Sequence, residues 1–149
     1  MSRERIASDA APRALGPYAQ AVAAGDLVFC SGQVGIDPGS GALVPGGIAA
    51  ETARVLENLA AVLRAAGLGL QDVVKTTVYL TDLNELAAMN EVYGRYFPPP
   101  HPARATVQVA RLPAGARVEI EAVAARAHPG AGQGSRDPAL SGGGPRSRA

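Results

Sequence analysis

The sequence predicts a two-layer α+β domain over residues 1–127, a mixed β-sheet with two helices on one face. Three observations lead there. Two stretches carry apolar residues at three- and four-residue steps, at least five short runs alternate apolar with polar residues, and Gly/Pro/Asp clusters separate them in the order ββαβαββ. A sheet with both helices on one side leaves its other face uncovered. In a chain of 149 residues the simplest cover is another copy of the same chain, so self-association is expected.

Residues 1–17 are polar and punctuated by Pro12 and Gly16-Pro17, which reads as an extended lead-in rather than a helix. Ala19 to Ala24 and Leu27 to Val34 flank the turn pair Gly25-Asp26 and are predicted to form a β-hairpin. Asp37-Pro38-Gly39-Ser40-Gly41 and Pro45-Gly46-Gly47 are turn chemistry and make a loop. From Ile48 to Ala66 the positions Thr52, Val55, Leu56, Leu59, Val62, Leu63 and Ala66 form one helical stripe, with Gly67 as its stop. Gln71 to Thr81 is β-branched and alternating, which places Val74, Thr76, Val78 and Leu80 on one face and Lys75, Thr77 and Tyr79 on the other. Asp82 with Glu85 resembles a capping box, and Leu83, Leu86, Asn90, Tyr93 and Phe97 then mark a second amphipathic helix. Pro98-Pro99-Pro100-His101-Pro102 holds the chain extended into two last strands, Ala103 to Val109 and Arg117 to Ala124. Residues 128–149 hold nine of the chain's thirty Gly and Pro residues and little to bury, so a disordered tail is expected there.

The charge balance is 14 basic to 13 acidic residues, a net +1, which provides no long-range field to draw in a phosphate backbone. Nucleic acid is therefore not the expected partner. Asp26, Arg54 and Arg64 interrupt the apolar stretches well before the roughly 20 residues a bilayer span requires. The lone cysteine, Cys30, can form neither an intrachain disulfide nor a cysteine-based metal site, and the opening MSRERIASDAAPR lacks the apolar stretch of a secretory signal. A cytoplasmic protein that neither crosses nor binds a membrane is the expectation.

Four polar residues stand where a purely structural pattern would not put them. Arg104 lies inside a strand between alanines, where it is either an edge arginine in solvent, the commoner case, or a guanidinium awaiting an anion. Glu119 alternates with Glu121 onto one face, which suits a solvated acidic face or a functional carboxylate. Asn90 interrupts an apolar stripe as a satisfied core amide or a pocket-lining one. Tyr18, after Gly16-Pro17, is a core aromatic with its hydroxyl at the rim or part of a pocket. There is no G-x-S-x-G, no G-x-x-x-x-G-K-[ST] and no H-E-x-x-H, and His101 and His128 are poorly placed for a triad or a metal. What remains is one fixed cation, one carboxylate and some hydrogen-bonding groups. That inventory suits a small carboxylate-bearing substrate and easy proton-transfer or hydrolytic chemistry.

The stretch Pro102-Ala103-Arg104-Ala105-Thr106-Val107 … Ala110-Arg111-Leu112 … Val118-Glu119-Ile120-Glu121-Ala122 closely resembles the C-terminal signature of the Rid (YjgF) family, the reactive-intermediate deaminases. Gly16-Pro17-Tyr18, Ser31-Gly32-Gln33, Val74-Lys75-Thr76-Thr77-Val78, Asp82-Leu83 and Asn90 … Tyr93 match in order and spacing, so the resemblance covers about residues 6–126. It implies a chorismate-mutase-like fold and a homotrimer with sites in the clefts between subunits. It also implies cofactor-free hydrolysis of 2-imino acids, formed from enamines such as 2-aminoacrylate, to 2-oxo acids and ammonia. Under it Arg104 matches the arginine that grips the substrate carboxylate, and Glu119 the carboxylate that orients and deprotonates water. Tyr18, Ser31, Gly32 and Asn90 match pocket-lining positions. Thr106, also at the substrate, replaces the cysteine often found there. The competing expectations are a non-catalytic Rid-like ligand-binding or interaction protein, which retention of Arg104 argues against, and action on RNA, which the charge argues against. A deaminase dedicated to one pathway's aminoacrylate is a third.

Overall fold

The computed structural model describes residues 2–127. The expected disorder of residues 128–149 lies outside them. The strands are β1 (Arg3–Ile6), β2 (Ala21–Ala24), β3 (Leu27–Val34), β4 (Val73–Leu80), β5 (Ala103–Gln108) and β6 (Val118–Ala125), and the helices are α1 (Gly47–Ala65) and α2 (Leu86–Tyr96). They form one six-stranded sheet in the order β1-β2-β3-β6-β4-β5. Every pairing is antiparallel except β4 with β5. That parallel pair is the one joined through a helix, α2, as parallel strands require.

The α1 stripe is buried as its spacing predicts: Thr52, Val55, Leu56, Leu59, Val62 and Leu63 are all fully enclosed. Gly67 stops the helix with φ 76°, its N–H donating to the Arg64 carbonyl at 3.0 Å while the Leu68 N–H returns to Leu63 at 2.9 Å. The core lies between α1, α2 and one face of the sheet, where Val28, Val78, Leu80, Val118, Ile120 and Ala124 meet both helices. Among the described residues no layer covers the opposite face, and it shows Leu27 and Phe29 to solvent.

Four details differ from the sequence expectation. The lead-in contains the strand β1, paired with β2, whose exposed Arg3-Glu4-Arg5 gives no apolar alternation to read. A register shift between Val73 and Lys75 puts Val73 in the core and leaves Val74 exposed, so Val74 does not share the face of Thr76 and Val78. The second helix starts at Leu86 after a 3-10 turn at Leu83–Glu85. Asp82 caps that turn by accepting the Asn84 N–H at 2.9 Å, and the Glu85 carboxylate goes to Arg117 instead of closing a capping box. Finally, the buried line of α2 is Met89, Val92 and Tyr93. Asn90 and Leu83 are exposed.

Candidate active site

The seven candidate residues fall into two groups on different sides of the sheet. Strand β6 sends Val118, Ile120, Ala122 and Ala124 into the core, so Glu119 and Glu121 project from the open face. Tyr79, the register partner of Glu119 on β4, projects with them and donates its hydroxyl to Glu121 at 2.8 Å. Arg104 pairs with Thr76, whose buried Oγ1 lies 2.7 Å from the Tyr93 hydroxyl on α2. The Arg104 guanidinium sits 4.8 Å above the Tyr93 ring, a cation–π seat on the helix side of the outermost strand. Thr106 shares the face of Arg104 by strand alternation, and Asn90 precedes Tyr93 by one helical turn. Within one chain Arg104 and Glu119 therefore point away from each other.

The Glu119 half is a cavity of about 440 Å³ lined by Tyr18, Gly32, Ile36, Pro113, Ala114 and Glu119 among others. The strand irregularity between Cys30 and Gln33 turns Gly32 onto the Glu119 carboxylate. No side chain fits between them, since a Cβ at Gly32 would lie 2.8 Å from Glu119 Cδ. The Ser31 hydroxyl donates its proton to the Ala19 carbonyl at 2.6 Å, which ties the segment before β2 next to Tyr18 and leaves the oxygen as an acceptor. Tyr18 itself is 57% exposed, so it is a cavity wall and not a core aromatic. Ala114 takes a left-handed conformation (φ 59°) in the turn that forms the cavity's far rim.

Glu119 makes no hydrogen bond or ion pair among the described residues, and its carboxyl is held above the usual glutamate range. Burial is the larger cause, and the negative charge of Glu121 adds to it. A higher pKa makes the deprotonated carboxylate a better proton acceptor than a solvent-exposed glutamate. Among the described residues no three His, Cys, Asp or Glu side chains come together as a metal site.

Three supports are not legible from residue spacing. Tyr93 stands in the second helix's stripe and in the family match, yet nothing local marks its ring as the seat of Arg104. Glu51, 2% exposed on α1, accepts the Arg117 backbone N–H at 2.8 Å and so fixes the start of β6 two residues before Glu119. The buried Gln20 amide fastens the lead-in beside the cavity through Ser8 and Pro12.

These features, a mixed sheet with two helices on one side and an arginine and a glutamate at the ends of its last two strands, define a class of small α+β proteins. The family model described as Endoribonuclease L-PSP matches residues 8–126, and the chain belongs to that family, which is the Rid (YjgF) family of the resemblance. A mouse protein named 2-iminobutanoate/2-iminopropanoate deaminase is 52% identical over 122 residues, 82% of this chain and 90% of its own length. The crystal structure of RidA from an Antarctic Psychrobacter superposes with a TM-score of 0.79 at 48% identity, covering 82% of this chain and 98% of that one. Escherichia coli TdcF, solved with bound serine, superposes with a TM-score of 0.80 at 43% identity, covering 83% and 99%. Among the described residues no helix is long and apolar enough to cross a membrane.

Proposed function

We propose that this protein hydrolyses 2-imino acids to 2-oxo acids and ammonia, without a cofactor, in sites shared between copies of the chain. The observation that carries the reading is the half-buried, unpaired Glu119 carboxylate in a cavity, with its pKa raised toward the range of a general base. The deaminase name of the mouse relative and the serine held by the E. coli relative agree with a small substrate that bears one carboxylate.

Arg104 takes that carboxylate through two parallel hydrogen bonds, and its planar fork, already seated on Tyr93, loses little freedom in doing so. The imine carbon then faces Glu119, which accepts a proton as water adds and the C–OH bond forms. The substrate reacts as the protonated imine, so water addition leaves a neutral amine on the carbon. Return of the proton from Glu119 to that nitrogen makes ammonia the leaving group. The C–N bond breaks, Glu119 takes the hydroxyl proton and passes it to the departing ammonia, and the carbonyl of the 2-oxo acid results. Water and protonated imine go in, ketone and ammonium come out, and no electron changes hands. Asn90, Thr106, Tyr18 and Gly32 shape the cleft, and Ser31 acts through the Ala19 segment.

Because Arg104 and Glu119 occupy opposite faces, the cleft closes only when the β5 edge of one copy meets the open sheet face of another. Exposed Leu27 and Phe29 on that face are the apolar surface such a contact would bury. A closed ring of three copies, as in the family resemblance, satisfies every edge and every face once. The test is a coupled assay in which a threonine or serine dehydratase supplies the imine and 2-oxo acid appearance is followed. The protein should raise that rate in proportion to its concentration, and an unchanged rate overturns the reading.

A further inference from the structure

Arg13 is the one basic residue among the described residues that line the Glu119 cavity, and the other charges there, Asp37 and Glu119, are both negative. It enters no ion pair or hydrogen bond with a described side chain. Its backbone is nevertheless well anchored. The buried Gln20 side chain donates to the Pro12 carbonyl at 2.7 Å and the Ser8 carbonyl at 3.1 Å, and accepts the Ser8 N–H at 2.6 Å. Arg13 therefore leaves a fixed point in the wall of the cavity, which it shares with a smaller pocket on the Ser8–Asp9 side, and its guanidinium has no side-chain partner among the described residues.

An imino acid with a short apolar side chain has no use for that group. Its single carboxylate belongs to Arg104 of another copy, and three carbons fill little of a cavity of about 440 Å³. An acidic side chain would use it. Its methylenes would lie on the Ile36 and Pro113 wall, and apart from Arg13 the only charged groups its terminal carboxylate would find among the described lining residues are the negative Asp37 and Glu119. Asp37 is already committed, accepting the Gly39 and Ser40 N–H groups at 2.7 and 3.2 Å.

We propose that Arg13 binds the distal carboxylate of dicarboxylic 2-imino acids, so that imines of acidic amino acids are substrates of this site. The inference rests on the deaminase reading above and adds a second anchor to it. The bond changes are the same, since the distal carboxylate takes no part in them.

The test uses the full chain, wild type and Arg13→Leu, with imines of alanine, leucine and glutamate generated in place by amino-acid oxidases and read by loss of semicarbazide-trapped imine. Loss of one charge-assisted contact predicts that Arg13→Leu lowers kcat/KM for the glutamate imine by about ten- to a hundredfold more than for the alanine or leucine imine, chiefly through KM. Calorimetric titration with 2-oxoglutarate and with pyruvate should repeat the contrast without turnover. Equal losses on all three imines, or equal binding of the two oxo acids by wild type and variant, overturn the role of Arg13. Failure of the wild type on every imine overturns the deaminase reading itself. Selective loss of 2-oxoglutarate binding in Arg13→Leu would then still support Arg13 as a carboxylate site.

Discussion

Gly32 and Glu119 face each other across β3 and β6 so closely that a Cβ on Gly32 would stand 2.8 Å from Cδ, 3.0 Å from Cγ and 3.1 Å from Oε2 of the glutamate. The clash is with a side chain that can rotate, not with backbone, so the fold accommodates an alanine while the carboxylate moves. Gly32→Ala should lower kcat about tenfold or more, the loss expected when a catalytic group leaves its working position. Its thermal midpoint should stay near that of the wild type. An alanine variant with full turnover would mean that the observed Glu119 position is not the working one.

The raised pKa of Glu119 sets the acid limb of the rate profile. A general base works deprotonated, so activity should fall with decreasing pH around a value above the ordinary glutamate one. Glu121→Gln removes the smaller of the two causes and leaves burial, so the limb should move toward lower pH but stop short of the ordinary value. The same shift has a stability sign. A carboxyl that holds its proton more tightly folded than unfolded costs stability once pH rises above the unfolded pKa. Glu119→Gln should therefore raise the melting temperature at pH 7, and the gain should vanish below the ordinary glutamate pKa. A pH-independent difference would contradict it.

Glu51 is the buried acceptor of the Arg117 amide, and Arg117 also grips Glu85 with contacts of 3.1 and 3.2 Å. Glu51→Ala leaves the partly buried Arg117 N–H without its partner and should cost about 1–3 kcal/mol in urea unfolding. Glu51→Gln keeps a carbonyl acceptor and should cost less. Equal losses would show that the charge and not the hydrogen bond matters.

Burial pushes the Cys30 thiol up to about 11. At pH 8 almost none of it is thiolate, so iodoacetamide should label the native protein far more slowly than the urea-unfolded one. Rapid native labelling would place Cys30 nearer solvent than its 6% exposure indicates.

How far the sequence reaches depends on whether local pattern or long-range pairing decides a feature. The α1 stripe was legible because Val55, Leu56, Leu59, Val62 and Leu63 allow one helical phase only, and all of them are buried. In the second helix Asn90 and Met89 both lie three or four residues from Leu86 and Tyr93. Packing chose Met89, because an apolar side chain gains from burial and an unpaired amide does not. Val74 was misplaced because a bulge shifts the alternation and leaves no local mark. Arg104 and Glu119 stood out one by one, but their opposite orientation follows from pairing β4 with both β5 and β6. The Glu51 contact joins residues 66 positions apart, and no spacing rule predicts that.

That opposite orientation gives the proposal its sharpest test. If Arg104 from one copy and Glu119 from another make each site, then Arg104→Ala and Glu119→Gln should each be nearly inactive alone. Unfolded or dissociated together, mixed in equal amounts and reassembled, they should recover activity. In random mixed assemblies with closed symmetry, about a quarter of the sites receive an intact arginine from one copy and an intact glutamate from its neighbour. The mixture should then show about a quarter of the wild-type rate per site. Simple mixing without subunit exchange should show none. Light scattering must find the same mass for both variants and the wild type, so that a loss of assembly is not mistaken for a loss of chemistry. A site built within one chain offers no such rescue, because every chain in the mixture lacks one of the two groups. Reassembled mixtures as inactive as their components would place both residues in one chain's site or remove one from the chemistry, and either result refutes the shared cleft.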